Sequence, residues 1–556
     1  MTTEREWSLL YPEGAAPRSP ENPTADLDVA AALSAETLFG EMRKRFKFKP
    51  NQKHPLVYLT DDIDVIRYRL DVVEDVLNHE PLYRFLEKLL PDLEDIQELH
   101  MLHVERGDDL FDQLTSVSEI ELYVGLIDKL YDFFRQHEGV YSSAALKAFA
   151  ANVKRIRESE SYGALKAEHA KMAKSIRSIK SFTIGVNLDA KLRPAEAGVV
   201  AIHTEPFRSG HLIDKLLRVD FGDDGYTCLA PLEAVGKGLA PEQIAAFRAA
   251  VGGTLHTVLK SSLKSWRPAI RAYTKANTKW CIGLADEIRF LLGGVSLLRR
   301  LLESGVPVCK PEAVSKESKT FTVGGLYNPV TALRLQQSPE TGGPGDRVVL
   351  NEMQFDEDGM IYILTGPNQG GKTVFVQAVG IAQLLFQLGL FVPAFSAVIS
   401  PVDRIFAHFP DKEDKVRGGR FADECRRMMH ICERLTEHSL LLMDETFSGT
   451  SAAEATVIAE QVLLGLREAG CRVLFATHLH DLARSIDRLN ERNDEPDRCR
   501  IDSLTAEAET DDLTATRSYK ISRSRPKGQS YARDIAEKYG LTYERLIRSL
   551  GKRNMQ

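Results

Sequence analysis

At 556 residues the chain is too long for one ordinary core and predicts at least two domains, one of them a long helical array. A hydrophobic share of 43% with 27% charged residues excludes the disordered and membrane-embedded classes. The net charge of −7 excludes a generally basic nucleic-acid coat, so any contact with phosphates has to come from a local basic stripe.

The first fifty residues mix Pro, Gly and Ala-rich pieces with the basic run Lys44, Arg45, Lys47, Lys49, and read as an irregular lead-in (1–50) with one short helix. The opening "MTTEREWSLLYPEG" carries charges where a signal peptide needs an apolar stretch, so secretion is not expected. From residue 61 the apolar positions Ile63, Ile66, Leu70, Val73 and Leu77 recur at helical spacing, with Asp61 or Asp62 as N-cap, and helical patterning runs to about residue 180. The period then changes. "SFTIGVNLDAKLRPAEAGVVAIHTEPF" alternates β-branched and polar residues and predicts a small strand-rich insert near 181–230. Helices resume from about 241 to 305, and "QQSPETGGPGD" (336–346) is a turn-rich loop.

Beyond it, "VVLNEM", "MIYILTG", a helix after Lys372, "HSLLLMDE", another helix and "CRVLFATH" alternate strand with helix, the pattern of an α/β nucleotide-binding domain. The apolar stretch Ile381 to Ile399 is broken by Gln383, Gln387 and Pro393 and does not read as a membrane span. Seven scattered cysteines form no C-x-x-C pair, as expected of buried thiols in a reducing cytoplasm.

Gly366, Pro367, Asn368, Gln369, Gly370, Gly371, Lys372 and Thr373 fit G-x-x-x-x-G-K-[ST] without a mismatch. The glycines let the backbone curl so that its N–H groups face phosphate oxygens, while the following helix offers its positive end. Lys372 is then placed for the β- and γ-phosphates of ATP, and Thr373 for Mg²⁺. The strand Leu440 to Met443 ends in the acid pair Asp444 and Glu445, a Walker-B arrangement in which Asp444 serves Mg²⁺ and Glu445 the attacking water. His478, after the strand Val473 to Phe475, is placed to contact the γ-phosphate; a structural histidine, or a metal ligand with His480 and Asp481, are the other readings.

"TGPNQGGKT", "TEHSLLLMDETFSGTS" and "FATHLHDL", in this order and spacing, resemble the ATPase domain of the MutS family of DNA mismatch-repair and recombination proteins. "SYKISRSRPKGQSYARDIAEKYGL" is similar to that family's closing segment at the dimer interface, and "DDIDVIRYRLDVVEDVL" to the start of its helical lever. The resemblance implies an ABC-type P-loop NTPase (311–556, with C-terminal dimerisation helices). Before it stands a mainly α-helical core and lever domain (51–310) with a clamp-like insert near 150–280. It further implies a homodimer in which each ATP lies between one subunit's phosphate loop and the other's signature. Residues 1–50 are read as housing neither the family's mismatch-reading and connector domains nor a Phe-x-Glu wedge. Where the family carries a Ser-Thr before Phe and Glu, this chain has "GGRFADE": Phe421 and Glu424 match, and the amides of Gly418 and Gly419 or the guanidinium of Arg420 take the hydroxyls' place, unless Arg420 is a plain surface cation. Thr446-Phe447-Ser448 changes the residues before the family's Gly-Thr-Ser.

No acid occurs from Gln243 to Ala285, and Lys260, Lys264, Arg267, Arg271, Lys275 and Lys279 recur at three- and four-residue spacing. On a helix these cations share one face and suit a nucleic-acid backbone, or form a solvated face, with Pro268 threatening the stripe. Lys171 and Lys174 belong to a second basic stretch diluted by Glu158, Glu160 and Glu168. Both imply sequence-independent phosphate contacts. The expectation is a cytoplasmic, homodimeric, Mg²⁺-dependent ATPase acting on mismatched or branched DNA, with no membrane partner; an RNA- or ribosome-associated clamp or a scaffold without turnover is the alternative. A transporter motor is disfavoured because no L-S-G-G-Q occurs.

Overall fold

The computed structural model describes residues 7–15, 23–44, 53–106, 109–177, 181–191, 194–203, 208–209, 227–228, 279–337, 344–367, 370–410, 420–491, 499–511, 514–525, 541, 543 and 545–547. The chain divides into two compact units, residues 1–86, 141–146 and 286–556 in one and 87–140 and 147–285 in the other. The helical region expected over 51–310 is thus shared between them.

In the second unit the helices are Asp109–Gln136 and Glu160–Arg177, with most of Glu80–Arg106 and Ala144–Arg157. Leu126, Ile127 and Leu130 of one helix and Phe149 and Val153 of another are buried, as the helical spacing of apolar residues requires. Tyr162 donates its hydroxyl to Val124 O at 3.0 Å, and Lys166 and Arg157 both pair with Asp128. The strand-rich insert appears where the period changes. β1 (Ser181–Leu188) and β2 (Pro194–His203) form an antiparallel hairpin, and β3 (Arg208–Ser209) and β4 (Thr227–Cys228) a short parallel pair.

The first unit is built on two sheets. β5 (Glu312–Ala313), β9 (Ser396–Ile399), β6 (Phe321–Leu326) and β7 (Asn351–Phe355) form the smaller, in that order. The larger runs β10 (Ile405–His408), β11 (Leu440–Asp444), β12 (Arg472–Ala476), β8 (Ile361–Thr365), β13 (Ile501–Asp511), β14 (Thr514–Arg523). Its first five strands are parallel, and β14 returns antiparallel beside β13. Every residue of β8, β11 and β12 is buried, which is why these segments read as continuous apolar runs and not as alternating ones. Ile361, Ile363, Leu441, Met443, Val473 and Phe475 join one core with Ala455, Ala459, Leu463 and Leu466 of the helix Ala452–Ala469. The helix Lys372–Gln387 packs on β11 and β12, so closely that a Cβ on Gly380 would stand 2.6 Å from Leu442.

The first fifty residues differ from an irregular lead-in. They contain two helices, Pro23–Ala32 and Glu36–Lys44, and bury Leu9, Leu10, Leu33, Leu38, Phe39 and Met42 in the first unit. The physical reason is polar as well as apolar: Glu287 accepts from Ser8 Oγ and from Leu9 N, each at 2.8 Å, and Arg69 Nε donates to Leu10 O at 3.0 Å. Asp62, rather than Asp61, caps the helix Ile63–Asn78, accepting from Asp64 N and Val65 N.

Candidate nucleotide site

β8 delivers its chain to the centre of the sheet edge and stops at Gly366, whose φ of 145° excludes side-chain-bearing residues. A Cβ there would also lie 2.6 Å from Ala506 Cβ and 3.0 Å from Ala506 O on the neighbouring β13. Gly371, at φ 88°, turns the chain into the helix Lys372–Gln387 and contributes no side-chain cap, so the first amides of that helix stay available to an anion.

Lys372 heads this helix and is buried at 6% exposure. Its ammonium donates to Gly366 O and Pro367 O, both at 3.1 Å. Burial pulls its pKa below the usual lysine value, and the carboxylates of Glu445 and Asp444 act against that fall. Thr373, one residue on, donates its hydroxyl to Asp444 Oδ2 at 2.7 Å. The two motifs, seventy-one residues apart in sequence, therefore meet at one point.

Asp444 closes β11, paired in register with Ala476 of β12. Burial raises its carboxyl pKa, with the Thr373 hydrogen bond opposing, the neighbouring Glu445 charge adding to the rise and Lys372 lowering it. Its second oxygen, Oδ1, is buried with no hydrogen-bond partner, and so is Thr365 Oγ1 at the end of β8. A buried carboxylate oxygen and a hydroxyl without a partner are costly by themselves, and hard oxygen donors of this kind suit Mg²⁺. The oxygen donors of Thr373 and Asp444 thus fit that ion. Glu445 is half-buried and sits in the left-handed region at φ 45°, pinned by its N–H donating to Ala476 O at 2.9 Å. Such backbone strain persists only where the surroundings fix it.

Residues 362–549 match the family model described as MutS domain V, and residues 61–304 match that of the MutS2 N-terminal domain. The chain belongs to the MutS family. Its larger sheet accordingly belongs to a P-loop ATPase domain of the MutS kind. The chain is similar to the DNA mismatch repair protein MutS of Anaeromyxobacter sp. (strain Fw109-5), 32% identical over 239 residues, which are 42% of this chain and 25% of that protein. It is also similar to the DNA mismatch repair protein MutS of Thermotoga petrophila, 40% identical over 136 residues, 24% of this chain and 17% of that protein. The matched stretches span a quarter or less of these relatives' own length.

The structure brings Gly366, Gly370, Gly371, Lys372, Thr373, Asp444 and Glu445 to one end of the MutS-type sheet. Asn368 and Gln369 lie outside the described residues. His478 is exposed on the turn after β12. His480 is half-buried and feels Lys372: burial lowers its pKa first, and the charges of Lys372 and Arg484 lower it further. Of the two histidines, His480 has the environment linked to the phosphate-loop lysine, a distinction that the spacing His-x-His does not carry.

Arg420 begins the helix Arg420–Cys432, but its side chain is outside the described set, as are Gly418 and Gly419. The stripe of Lys260, Lys264, Arg267, Arg271 and Lys275 is also outside, and Lys279 is described only as the first residue of the helix Lys279–Glu303. Lys174 lies in the helix Glu160–Arg177 with its side chain undescribed, whereas Lys171 is exposed and pairs with Glu168 at 2.6 Å.

Phe39-Gly40-Glu41 does spell Phe-x-Glu within the first fifty residues. Phe39 is fully buried, however, and Glu41 pairs with Lys44 and Arg300, so neither group of that tripeptide is presented as an exposed wedge.

Sequence inspection missed Thr365, Ala506 and Tyr519. Tyr519 stands in β14 at φ 52°, its ring edge 3.2 Å from where a Gly371 Cβ would be, and its carbonyl accepts from Asn351 Nδ2 at 3.3 Å. Ala506 and Tyr519 thus wall the phosphate loop from the β13–β14 hairpin. The only signal in the sequence is the small residue at 506, which is too weak to find the wall.

Among the described residues no helix is long and apolar enough to cross a membrane, and no cluster of three or more His, Cys, Asp or Glu is arranged to hold a metal by itself. A phosphate-bound ion does not require such a cluster, because it takes most of its ligands from substrate oxygens and water.

Proposed function

We propose that this chain is a Mg²⁺-dependent ATPase of the MutS type that couples γ-phosphate hydrolysis to its hold on DNA. The observation that carries the reading is the 2.7 Å bond between Thr373 and Asp444 beside the buried Lys372 ammonium. It joins the lysine, hydroxyl and carboxylate that a nucleoside triphosphate requires at the mouth of an uncapped helix.

In this mechanism the amides of Gly370 to Thr373 and the Lys372 ammonium receive the β- and γ-phosphate oxygens, and Lys372 exchanges its two carbonyl acceptors for the more strongly charged phosphates. Thr373 and Asp444 would hold Mg²⁺, which when bound would offset charge on the phosphate oxygens. Glu445 orients the attacking water and accepts its proton, and His478 touches the γ-phosphate. Burial of the lysine and the acid strengthens each of these interactions, because their fields are less screened than in water. Arg420 is assigned to the ATP of a second copy, in a homodimer whose interface loosens when the γ-phosphate leaves. DNA is assigned to the cations of 260–279 and to Lys171 and Lys174, through its backbone.

The test is a pair of variants with nucleotide binding and hydrolysis read separately. Lys372→Ala abolishes tight ATP binding, whereas Glu445→Ala keeps binding and loses hydrolysis by about 10²- to 10⁴-fold, the usual contribution of a positioned base. Unchanged affinity in Lys372→Ala rejects the site. A panel of mismatched duplex, branched DNA and structured RNA, with and without ATP over a range of salt, tests the nucleic-acid assignment; stimulation by RNA alone rejects it.

A further inference from the structure

The acid pair is followed by Thr446 and Phe447, and both the strand beside it and the helix beyond it reach toward these residues. His408 ends β10, in register with Met443 and one step before the acids. It is 2% exposed. One ring nitrogen, Nδ1, lies 3.0 Å from Thr446 Oγ1, and the other, Nε2, lies 3.1 Å from the backbone carbonyl of Glu424 in the helix Arg420–Cys432.

The chemistry fixes who donates. Glu424 O can only accept, so Nε2 carries a hydrogen; in the neutral ring Nδ1 then accepts from the Thr446 hydroxyl, whose single hydrogen is shared with His408 O at 3.3 Å. Thr446, buried at 4% exposure, is thereby held one residue after Glu445, whose backbone is strained at φ 45° and followed by a second left-handed residue, Phe447 at φ 66°. The Phe447 ring packs against both the His408 and the Phe421 rings, each with centroids 6.4 Å away. Gly449 presses so closely on the same helix that a Cβ would stand 3.1 Å from Phe421 N. Arg427 closes the far side by donating to Phe409 O at 3.2 Å.

We propose that His408 is a positioning residue: it holds the strained turn that aims Glu445 and ties that turn to the helix beginning at Arg420. A displacement of Glu445 passes through Thr446 and the imidazole to the Glu424 backbone, so the helix that carries Phe421 and Glu424 of the signature segment registers what happens at the acids. This inference rests on the ATPase reading for its consequence, but the brace itself exists without nucleotide.

Three variants separate the ring's two bonds from its bulk. All three variants keep the main-chain acceptor His408 O for the Thr446 hydroxyl; His408→Asn also keeps an acceptor near the Nδ1 position and loses the reach to Glu424 O, His408→Gln keeps the Nε2 reach and loses the side-chain bond to Thr446, and His408→Phe keeps only the shape. Hydrogen exchange on the nucleotide-free full chain reads the brace directly. Faster exchange across Glu445 to Gly449 is expected in the Gln and Phe variants and not in Asn. Steady-state ATP hydrolysis is expected to fall by about ten- to a hundredfold in kcat in the Gln and Phe variants with KM nearly unchanged, since small misplacements of a reacting group cost rates of that order.

Wild-type exchange and kcat in His408→Gln, or a Phe variant equal to wild type, overturns the proposal in favour of plain packing. A loss shared equally by all three variants and accompanied by a common fall in melting temperature overturns it too. Absence of Glu445-dependent hydrolysis in the wild type rejects the ATPase reading and His408's role in it, while the exchange data still decide the brace.

Discussion

The two ends of the helix Lys372–Gln387 have opposite construction. At its start the amides have no side-chain cap, a carboxylate oxygen lies buried without a partner, and a lysine is held below its ordinary pKa. At its end most polar groups are paired, with Gln383 Oε1 and Arg69 Nη2 the buried exceptions. Gln387 Nε2 donates to Thr60 O and Val402 O, its Oε1 accepts from Val402 N and Gln383 Nε2, and its carbonyl accepts from Thr60 N. Arg69, fully buried, donates to Leu10 O and Tyr58 O, approaches Leu388 O at 3.5 Å and lies over the Tyr11 ring. One end stores unpaired polarity that a ligand can satisfy. The other spends its polar groups on fixing the helix to residues 8–11 and 58–60.

On this contrast, changes at the start should alter ligand affinity with little loss of stability, and changes at the end should do the reverse. The largest effect on ligand affinity is expected from Gly366→Ala. The new methyl would meet Ala506 at 2.6 Å in a backbone conformation closed to alanine, so the loop must rebuild. ATP affinity is expected to fall by more than about a hundredfold, some 3 kcal/mol of binding free energy, as measured by calorimetry. Near-native affinity would show that the loop geometry does not matter.

At the opposite end, Gln387→Leu leaves the carbonyls of Thr60 and Val402 and the N–H of Val402 without their partner. Each stranded group costs about 1–3 kcal/mol, and a total loss of about 4 kcal/mol in unfolding free energy is expected from denaturant titration. ATP affinity of the folded fraction should stay within about twofold, a shift under 0.5 kcal/mol. Arg69→Met is expected to cost less, about 2 kcal/mol, because the guanidinium's own desolvation, which lowers its pKa, is relieved when it is removed. A Gln387 or Arg69 variant that loses affinity but not stability would break the comparison.

The two ends were not equally legible in the sequence. Gly366, Gly371, Lys372 and Thr373 are neighbours, and a loop that needs glycine at fixed offsets writes itself into a short string. Asp444 and Glu445 could be read because an acid pair after four apolar residues is conspicuous. The walls could not. Ala506 and Tyr519 reach the loop only because β13 inserts next to β8 and β14 returns beside it, an order that no local pattern expresses. Gln387, Arg69 and Ser8 were opaque for the same reason: they reach partners 327, 319 and 279 residues away. His408 ends an apolar strand and has no motif around it. The Phe-x-Glu at 39–41 marks the converse limit, since a three-residue pattern does not reveal that its ring is buried.

The smallest expected effect concerns the stored strain itself. Burial raises the Asp444 pKa above its ordinary 3.8, so the folded protein binds this proton more tightly than the unfolded chain does. By linkage, stability is then lost as pH rises from 3.8 through the folded value and is constant above it. Lys372 runs the other way in alkali: its folded pKa lies below 10.5, so its penalty is relieved as pH rises toward that value. Asp444→Asn keeps an acceptor for the Thr373 hydroxyl and removes the acid titration. Its melting temperature relative to wild type should therefore increase between about pH 4 and pH 7, by less than the Gln387→Leu loss, and Mg²⁺ should no longer raise it when added with ATP. A variant that is less stable than wild type at every pH would mean that the carboxylate is a net support of the fold, and the start of the helix would then be built like its end.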